Sequence, residues 1–322
     1  MLSYQGHFCF RQGQHPQARE LLQRSLSLLQ TLADDHWPDA PRGAIEFALS
    51  NAAAFLGMVT YMMGDYAEGR RLLQNSLAQK RTMNDQWGIV LCLRELGLAA
   101  YHQGDYGEAH RLLTDSHVLS RELGNPWAIA FSLNCLSIAA YAQGRLAEAQ
   151  RLLEEGLAIS RTLDDRYNIA FALDGLGRVK HAQQDEVSAV QLFNSSIALS
   201  REIGDQASVA QGLSNLGHTL LAQGDRSGAR GCFQETLAVA KAMQIMPVML
   251  DGLVGLAALH AVEGESLAAL ELLHSISQHP AVNRETLDRA ARLHTALTAD
   301  HFEADHIPPA VRSIESLVAD LL

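Results

Sequence analysis

Residues 96–109 read LGLAAYHQGDYGEA, and residues 136–149 read LSIAAYAQGRLAEA. The two stretches begin 40 residues apart, and a related phrase returns along most of the chain. The glycines that mark it lie at multiples of 40 residues from one another: Gly64, Gly104, Gly144, Gly224 and Gly264. Position 184 continues the series but holds Gln184. A fixed period of about 20–50 residues indicates a stack of identical supersecondary units. The sequence therefore predicts a solenoid, an architecture whose extended surface is suited to binding.

Composition supports helices and argues against several functions. The chain has 322 residues, of which 48% are apolar and only 6% aromatic, and its net charge is −11. This composition suits close-packed helices better than a sheet. A general nucleic-acid-binding protein needs a basic face, so the acidic balance argues against direct nucleic-acid binding by this segment.

The cysteines and the early residues predict a cytoplasmic location. Cys9, Cys92, Cys135 and Cys232 form no C-x-x-C pair, and we expect each to be a reduced, buried thiol within a helix. Arg11 interrupts any early apolar run, so no signal peptide is predicted. No uninterrupted run of about 18 apolar residues occurs, so no membrane span is predicted either.

One repeat, residues 87–124, illustrates the local physics. Leu93, Leu96 and Ala100 recur at three- and four-residue steps, which indicates an amphipathic helix. Gly104 is expected to end this helix in the left-handed conformation. Asp105 is expected to cap the next helix, with Glu108 completing a capping box. The residues that this second helix should bury are Ala109, Leu112, Leu113 and Ser116.

These columns recur through the chain. A leucine precedes a small residue at Leu56, Leu96, Leu136, Leu176, Leu216 and Leu256. Together with a glycine seven residues on and an alanine five after that, the pattern resembles the tetratricopeptide repeat over about residues 1–277. The departures are a 40-residue period instead of about 34, a leucine such as Leu93 in place of the early tryptophan, and a basic residue such as Arg121 in place of the late proline.

The 40-residue variant also resembles the C-terminal sensor arrays of bacterial STAND signal-transduction ATPases, and residues 279–293 and 308–309 resemble the C-terminal end of such proteins. The resemblance implies an all-α, right-handed superhelical solenoid of antiparallel helix pairs, with about seven repeats followed by C-terminal capping helices. The repeats are expected at about 1–33, 43–83, 86–123, 126–163, 166–203, 206–243 and 246–277.

Three features depart from the regular pattern. The surplus residues between the first two units predict an insertion loop at 34–43, containing Trp37, Pro38 and Pro41; it is either a tolerated surface insertion or a docking loop. Residues 278–322 are expected to form capping helices at about 283–299 and 308–322. Because Met1 starts inside a first helix without a capping unit, we expect the chain to be a fragment that lacks an upstream nucleotide-binding domain.

Motifs that carry catalytic chemistry are missing from the sequence. It contains no phosphate-cradling G-x-x-x-x-G-K-[ST], no H-E-x-x-H, no G-x-S-x-G and no zinc spacing. The spacing of His294, His301 and His306 does not support a metal site. A basic column at Arg81, Arg121, Arg161, Arg201 and Lys241 either complements helix C-termini, pairing with acids such as Glu122 and Glu202, or forms a stripe for an acidic partner. The sequence predicts no enzyme activity, no cofactor and no metal.

The resemblance implies that the first helix of each pair lines a concave groove. The candidate ligand-binding residues at these positions are Asn51, Met58, Tyr61, Arg94, Tyr101, Asn134, Tyr141, Asp174, Arg178, His181, Gln211, Ser214 and His218. Such a mixed set suits a peptide or protein ligand, although the tyrosines could equally pack against neighbouring helices. Two functions follow: the inducer-sensing module of a STAND-type regulator, or a free-standing scaffold that joins partner proteins without switching.

Overall fold

The structure is a computed structural model that describes residues 2–11, 13–34, 42–299 and 312–322. Within these ranges the chain forms sixteen α-helices and no β-strand, which confirms the predicted all-α class. The helices are α1 (Leu2–Arg11), α2 (His15–Asp34), α3 (Arg42–Met62), α4 (Tyr66–Thr82), α5 (Gln86–Gln103), α6 (Tyr106–Glu122), α7 (Pro126–Ala142), α8 (Leu146–Thr162), α9 (Arg166–Ala182), α10 (Glu186–Glu202), α11 (Gln206–Ala222), α12 (Arg226–Met243), α13 (Met246–Val262), α14 (Ser266–Ser277), α15 (Arg284–Ala299) and α16 (Ile314–Leu321).

From α1 to α14 the helices alternate between first and second members of a pair, which we name A and B helices. Each A helix of the pairs α3/α4, α5/α6, α7/α8 and α11/α12 packs along its own B helix. Neighbouring A helices also touch, as α3 and α5, α5 and α7, and α11 and α13 do. This is the arrangement of a helix-pair solenoid, in which each unit buries its apolar side against the next.

The chain divides into two compact units, Met1–Asn168 and Ile169–Leu322, and α9 runs through the division. The larger core cluster of the second unit surrounds Phe233, Leu250 and Leu253, and Ile314 and Val318 of α16 also belong to it. The apolar side of α16 therefore packs against the last repeat, as a capping helix does.

Left-handed residues divide the array at intervals of 20 residues. From Gly64 to Gly264, every twentieth residue has a positive φ. Most are glycines, but Asn84, Asp164, Gln184 and Gln244 adopt the same conformation, with φ between 49° and 63°. The predicted left-handed cap at Gly104 is confirmed, with a φ of 85°. The 40-residue glycine series identified only the turns between the two helices of a pair. The turns that connect one pair to the next also contain a residue with positive φ.

Aspartate side chains cap the starts of several helices in the array. The side chain of Asp105 accepts a hydrogen bond from the Glu108 backbone N–H at 3.1 Å, as predicted. The capping box itself was wrong, because the Glu108 carboxylate turns outward to bind Arg111 at 2.7 and 2.8 Å. Equivalent caps are made by Asp65, Asp85, Asp185, Asp205 and Asp225.

Buried hydroxyl groups at equivalent positions of several B helices bond to the preceding A helix. The hydroxyl of Ser76 donates to the backbone carbonyl of Ser50 at 2.7 Å, and Ser116 donates to Val90 at 3.0 Å. Ser196 repeats the contact in the second unit, with the Ala170 carbonyl at 2.8 Å. Each bond satisfies a buried hydroxyl. The expected burial of Ala109, Leu112, Leu113 and Ser116 is confirmed.

The glycines on A helices make room for bulky B-helix side chains, and this supplies a paired test. Phe233 is fully buried, and a Cβ on Gly255 would lie 2.2 Å from its ring. We expect Gly255→Ala to lower the free energy of unfolding by about 1–3 kcal/mol through overpacking. Gly231 is exposed on α12 and has nothing within 4 Å of an added Cβ, so Gly231→Ala should stabilise by about 0.5–1 kcal/mol. Urea unfolding measures both, and shifts of the same sign would contradict this packing.

The partners of the basic column differ from the expected ones. Arg201 pairs with Glu235 at 2.5 Å, and Arg121 lies 3.9 Å from Glu155, so each contacts an acid of the following B helix and not the adjacent Glu202 or Glu122. Stacking of the repeats brings an acid of the next B helix within reach of each arginine, which the pattern within a single repeat does not reveal. These exposed pairs stabilise little.

Predictions from the sequence also concerned the cysteines, the apolar helix α3 and the residues outside the described ranges. Cys9, Cys92 and Cys135 are buried free thiols, whereas Cys232 is half-buried. α3 is long and apolar enough to cross a membrane by length and composition alone, but half of its apolar window is buried and it packs against α4. Residues 35–41 of the predicted insertion loop, and the chain from 300 to 311 with His301 and His306, lie outside the described residues.

Candidate ligand-binding site

We name the surface of the A helices that carries the predicted ligand-facing positions the A-face, and describe it for each unit separately. The thirteen predicted residues differ in access. Those that are buried are Met58, Tyr61, Arg94, Tyr101, Asn134 and Ser214; those that are partly buried are Asn51, Tyr141, Asp174, Arg178, His181 and His218; Gln211 is exposed. Most of the polar members already have partners within the chain.

In the first unit a buried ion pair organises the A-face. Arg94 binds the carboxylate of its neighbour Glu95 through Nε at 2.8 Å and Nη2 at 2.6 Å. The hydroxyl of Tyr61 on α3 donates to the other carboxylate oxygen at 2.7 Å. The guanidinium of Arg94 also lies 4.2 Å from the ring centroid of Phe131 on α7, a cation–π contact. Three successive A helices are thus joined by one polar group.

Burial raises the pKa of Tyr61 well above its ordinary value, and the nearby Glu95 carboxylate adds to the effect. Tyr61 is therefore a neutral hydrogen-bond donor at neutral pH. Tyr101 packs edge-on to His102, with 5.2 Å between ring centroids, so the alternative packing role considered for the tyrosines applies to part of its surface. Met58 belongs to the same apolar cluster as Tyr61.

Two asparagines on this face bind groups inside the first unit. Asn51 accepts a hydrogen bond from the buried Lys80 ammonium at 2.6 Å. Asn134 donates through Nδ2 to the backbone carbonyl of Asn168 at 3.2 Å. The Asn134 side-chain oxygen is buried without a hydrogen-bond partner. Both asparagines therefore connect neighbouring parts of the array in addition to facing the predicted ligand side.

An aromatic row was missed by the sequence reasoning. Phe47, Trp87 and Trp127 occupy equivalent positions, 40 residues apart, near the starts of α3, α5 and α7, and their exposed fractions are 44%, 45% and 40%. Tyr167 continues the series at the start of α9 and is half-buried. The signal was present in the 40-residue columns, one turn before the first position that was considered.

The aromatic row is coupled to the buried ion pair through Phe131. Its ring centroid lies 5.5 Å from Trp127 and 5.9 Å from Tyr167, both in edge-to-face geometry. Because Arg94 stacks on the same ring, the Glu95 carboxylate indirectly fixes the orientation of the exposed tryptophan. Edge-to-face pairs of this kind favour defined ring orientations.

In the second unit Asp174 lies on α9 and accepts two hydrogen bonds from the amide of Asn215 on α11, at 3.0 and 3.2 Å. Burial raises the pKa of the Asp174 carboxyl, and the positive charge of Arg178 and the Asn215 bonds only partly offset this. His181, one turn beyond Arg178, pairs with Glu186 at 2.6 Å.

Helix α15 contributes charged side chains to the A-face of the second unit. Arg178 on α9 binds the Glu285 carboxylate at 2.8 Å, and Arg289 contacts its other oxygen at 3.3 Å. Arg289 also binds the Asp251 carboxylate on α13. Asp251 in turn accepts hydrogen bonds from Ser214 at 2.5 Å and Thr286 at 3.2 Å. The predicted Arg178 and Ser214 are thus linked to one network that includes α15.

His218 is the neutral member of this network. Burial, reinforced by the positive charge of Arg289, lowers the pKa of His218 to about 3. The imidazole Nε2 accepts a hydrogen bond from Arg289 Nη1 at 3.0 Å. Burial opposes the ionisation of Asp251, but the positive charge of Arg289 and the hydrogen bonds from Ser214 and Thr286 together lower the pKa of that carboxyl below its ordinary value. The site therefore keeps a charged Asp251 beside an uncharged His218.

The low pKa of His218 predicts a pH dependence of stability. An unfolded chain protonates histidine near pH 6.5, whereas the folded protein does not, so this contribution to stability is lost as the pH falls below about 6.5. We expect the unmodified chain to lose about 1.4 kcal/mol per pH unit more than His218→Gln between about pH 6.5 and 4.5. Urea unfolding at each pH measures this, with His294→Gln on the exposed side of α15 as the control. Equal slopes for His218→Gln and the unmodified chain would contradict it.

The thiols of the array are poor candidates for nucleophiles. Burial raises the pKa of Cys135 to about 12 and that of Cys232 to about 11, so both remain protonated at neutral pH. His260, Glu263 and Glu265 bring ligand atoms within 4.8 Å of one another. Glu263 already pairs with Arg230 at 2.6 Å, and His260 with Glu265 at 2.5 Å. This group is explained by surface ion pairs.

Comparison with known proteins identifies the repeat family to which the sequence is similar. Sequence models of the tetratricopeptide repeat match residues 2–24, 49–121, 128–202 and 209–243, which together are more than half of the chain. No curated protein matches the sequence.

Three solved structures share the fold. The Rap conjugation gene regulator of plasmid pLS20, in complex with the Phr* peptide, has a TM-score of 0.70 at 11% identity, covering 99% of this chain and 93% of its own. NprR in complex with its cognate peptide NprX has a TM-score of 0.61 at 15% identity, covering 92% and 88%. A STAND protein with a tetratricopeptide repeat sensor from Pyrococcus horikoshii has a TM-score of 0.51 at 13% identity, covering 93% of this chain but only 43% of its own.

Proposed function

The chain belongs to the tetratricopeptide repeat family, and from this premise we propose that it is a sensor module that binds a peptide or protein segment on its A-face. The single observation that carries the proposal is the exposed aromatic row Phe47, Trp87 and Trp127. Large aromatic side chains are costly to leave in water and are enriched at binding hot spots. A regular row of them on one face favours an extended partner over a small molecule.

Within this proposal the thirteen residues of the predicted set take two parts. In the first unit the accessible members Asn51 and Tyr141 contact the ligand together with the aromatic row, and Gln211 is the exposed member in the second unit. The buried members, such as Tyr61, Arg94 and Asn134, act mainly by holding the contacting side chains in place. Likeness in fold to Rap and NprR, both solved with peptides, supports a peptide as the ligand class.

The finer proposal is that the chain senses an inducer for a STAND-type signal-transduction ATPase or transcription regulator. Its support is the likeness in fold to a STAND protein with a repeat sensor, of whose length this chain spans less than half. The remaining length of such a protein leaves room for the nucleotide-binding domain that we propose lies upstream in the parent protein. The free cysteines support a cytoplasmic setting. We propose that this segment acts by binding, without catalysis and without direct contact to membrane or nucleic acid.

The binding proposal is tested with the intact chain and peptides selected against it by display from a random library. We expect selection to enrich sequences that bind with micromolar or better affinity and lose binding when the row is altered. A failure to enrich any binder, in a selection that succeeds with a control repeat protein, would remove the ligand-sensing function.

The sensor and the scaffold differ in their response to a ligand. A sensor needs a ligand that favours one of two states, so small-angle scattering of the intact chain should change when a selected peptide is added. Unchanged scattering at saturation would favour the free-standing scaffold that joins partners without switching. The coding sequence upstream of Met1 tests the STAND assignment, which a complete gene without a nucleotide-binding domain would overturn.

A further inference from the structure

The aromatic row of the first unit has a fixed spacing, because the array repeats. Phe47, Trp87 and Trp127 lie at equivalent positions of α3, α5 and α7, and α5 touches both of the other helices. Packed helices lie about 8–10 Å apart, so successive rings of the row are separated by about the same distance. Tyr167 at the start of α9 adds a fourth, half-buried ring. A ligand that uses the whole row must present a contacting group at each of these intervals.

The regular conformations of a peptide differ in the interval at which residues return to one side. In a polyproline II helix every third residue does so, at intervals of about 9.3 Å. In a β-strand every second residue does so, at about 6.8 Å, and the next interval of about 14 Å is too long. In an α-helix the match requires residues seven apart, about 10.5 Å, so only one residue in seven would contact the row. The polyproline II conformation therefore matches the row with the most contacts per residue.

The rings of the row are held from the buried side by positive charges. The buried Lys80 ammonium lies 5.4 Å from the ring centroid of Phe47. Further along, Arg94 stacks on Phe131, which packs edge-on to Trp127. Because rings that are already fixed lose little freedom on binding, they favour a ligand that is itself stiff, as proline-rich segments are. The cations behind the row also oppose the approach of a ligand ammonium or guanidinium group, so uncharged contacting residues are favoured.

The two tryptophans offer a hydrogen-bond donor as well as an apolar surface. The side chains of Trp87 and Trp127 are 45% and 40% exposed, and an indole Nε1–H can only donate. The carbonyl groups of a polyproline II segment make no internal hydrogen bond and can accept from an indole, whereas those inside an α-helix are already engaged. Aromatic-lined grooves are the surfaces on which proline-rich segments bind in other proteins.

We propose that the aromatic row binds a proline-rich segment in the polyproline II conformation, with proline or another uncharged residue at every third position contacting the four rings in turn. The inference rests on the proposed function, because it names the ligand class of the same face. The indoles of Trp87 and Trp127 donate to carbonyl groups of the ligand. Lys80 and Arg94 are positioning residues, which act through Phe47 and Phe131.

The test uses calorimetric titration of the full chain with three decapeptides that have blocked ends. The first has proline at positions 1, 4, 7 and 10 and alanine elsewhere. The second has the same composition with prolines at positions 1, 3, 5 and 7, so at most two of them share one side of a polyproline II helix. The third is a helix former of alanine and glutamine, with leucine at positions 1 and 8. We expect the first decapeptide to bind at least about ten-fold more tightly than either of the others, since only it contacts every ring.

Variants of the row test the role of the indole donor. Trp87→Phe keeps an aromatic ring but removes the N–H, so the first decapeptide should bind this variant about three- to ten-fold less tightly, as for the loss of one hydrogen bond. The affinity of the helical decapeptide should not change. Phe8 is exposed on α1, outside the row, so Phe8→Ala should bind the first decapeptide as the unmodified chain does. Urea unfolding of the same samples checks that each variant is folded.

Equal affinities of the first two decapeptides would overturn the inference, because binding would then depend on composition and not on the three-residue spacing. Tighter binding of the helical decapeptide would also overturn it, as would no measurable binding of the first decapeptide or an unchanged affinity for it in Trp87→Phe. If display-selected peptides without this spacing bind through the row, the proposed function stands while this inference fails. If no selected peptide binds either, the proposed function itself has failed.

Discussion

Replacing Glu95 by Ala is expected to lower the free energy of unfolding by about 3–5 kcal/mol, since it leaves the buried Arg94 guanidinium without its counter-ion. The two side chains are only 10% and 5% exposed. The substitution also removes the acceptor of the Tyr61 hydroxyl. Urea-induced unfolding followed by circular dichroism at neutral pH measures the loss.

Two matched variants separate this effect from a general loss of charge. Arg111 forms ion pairs with Glu108 and Asp115 but is 58% exposed, so Arg111→Ala should cost less than about 1 kcal/mol. The double variant Arg94→Met with Glu95→Leu should recover most of the stability, because exchanging a whole buried ion pair for apolar side chains is often neutral. A double variant as unstable as Glu95→Ala would show that the unpaired charge of Arg94 is not responsible.

Removing both tryptophans of the aromatic row is expected to reduce the binding free energy of a display-selected peptide far more than it reduces the free energy of unfolding. Each of Trp87→Ala and Trp127→Ala should cost about 2 kcal/mol of binding or more, which is about 30-fold in Kd. Exposed side chains contribute little to stability, within about 0.5 kcal/mol for typical surface substitutions. Calorimetric titration gives the affinity, and the unfolding curve of the same samples gives the stability.

The control for this prediction is an exposed aromatic residue outside the row. Phe8 on α1 belongs to the same unit and is also exposed, so Phe8→Ala should leave the Kd within about two-fold of its original value, as for contacts outside a hot spot. Glu95→Gln should lower the affinity for the peptide although Glu95 does not contact the peptide, because the change acts through the Arg94–Phe131 contact. Equal losses of affinity for Phe8→Ala and Trp87→Ala would show that the aromatic row contributes only nonspecific apolar contact.

Much of the fold could be predicted from the sequence because a comparison of the repeats with one another shows which positions are always apolar or small. A column that holds leucine or a small residue in every unit must serve packing, and Leu96, Ala109 and Leu113 are indeed buried. The left-handed turns were predicted where the glycine series stands, including Gln184, which continues that series. Asn84 and Gln244 adopt the same backbone with a side chain, and composition cannot identify such positions since the register of the whole array imposes the conformation on them.

The candidate site was less predictable because facing a groove and being accessible are different properties. Position 94 is ligand-facing by the repeat pattern, but Arg94 is buried by Glu95 and Phe131. The contact from Glu285 to Arg178 joins residues 107 positions apart, a distance at which no periodicity gives information. The aromatic row, in contrast, was readable from the columns and was missed because the inspected face began one turn too late.

The most direct test of the A-face as a ligand surface is fluorine NMR of the chain labelled with 5-fluorotryptophan. The sequence has three tryptophans, and Trp37→Phe leaves one resonance each for Trp87 and Trp127. Titration with a display-selected peptide is predicted to shift both resonances together, with the same midpoint as the calorimetric binding curve. Saturation of the protein with both resonances unmoved would contradict the assignment of this face.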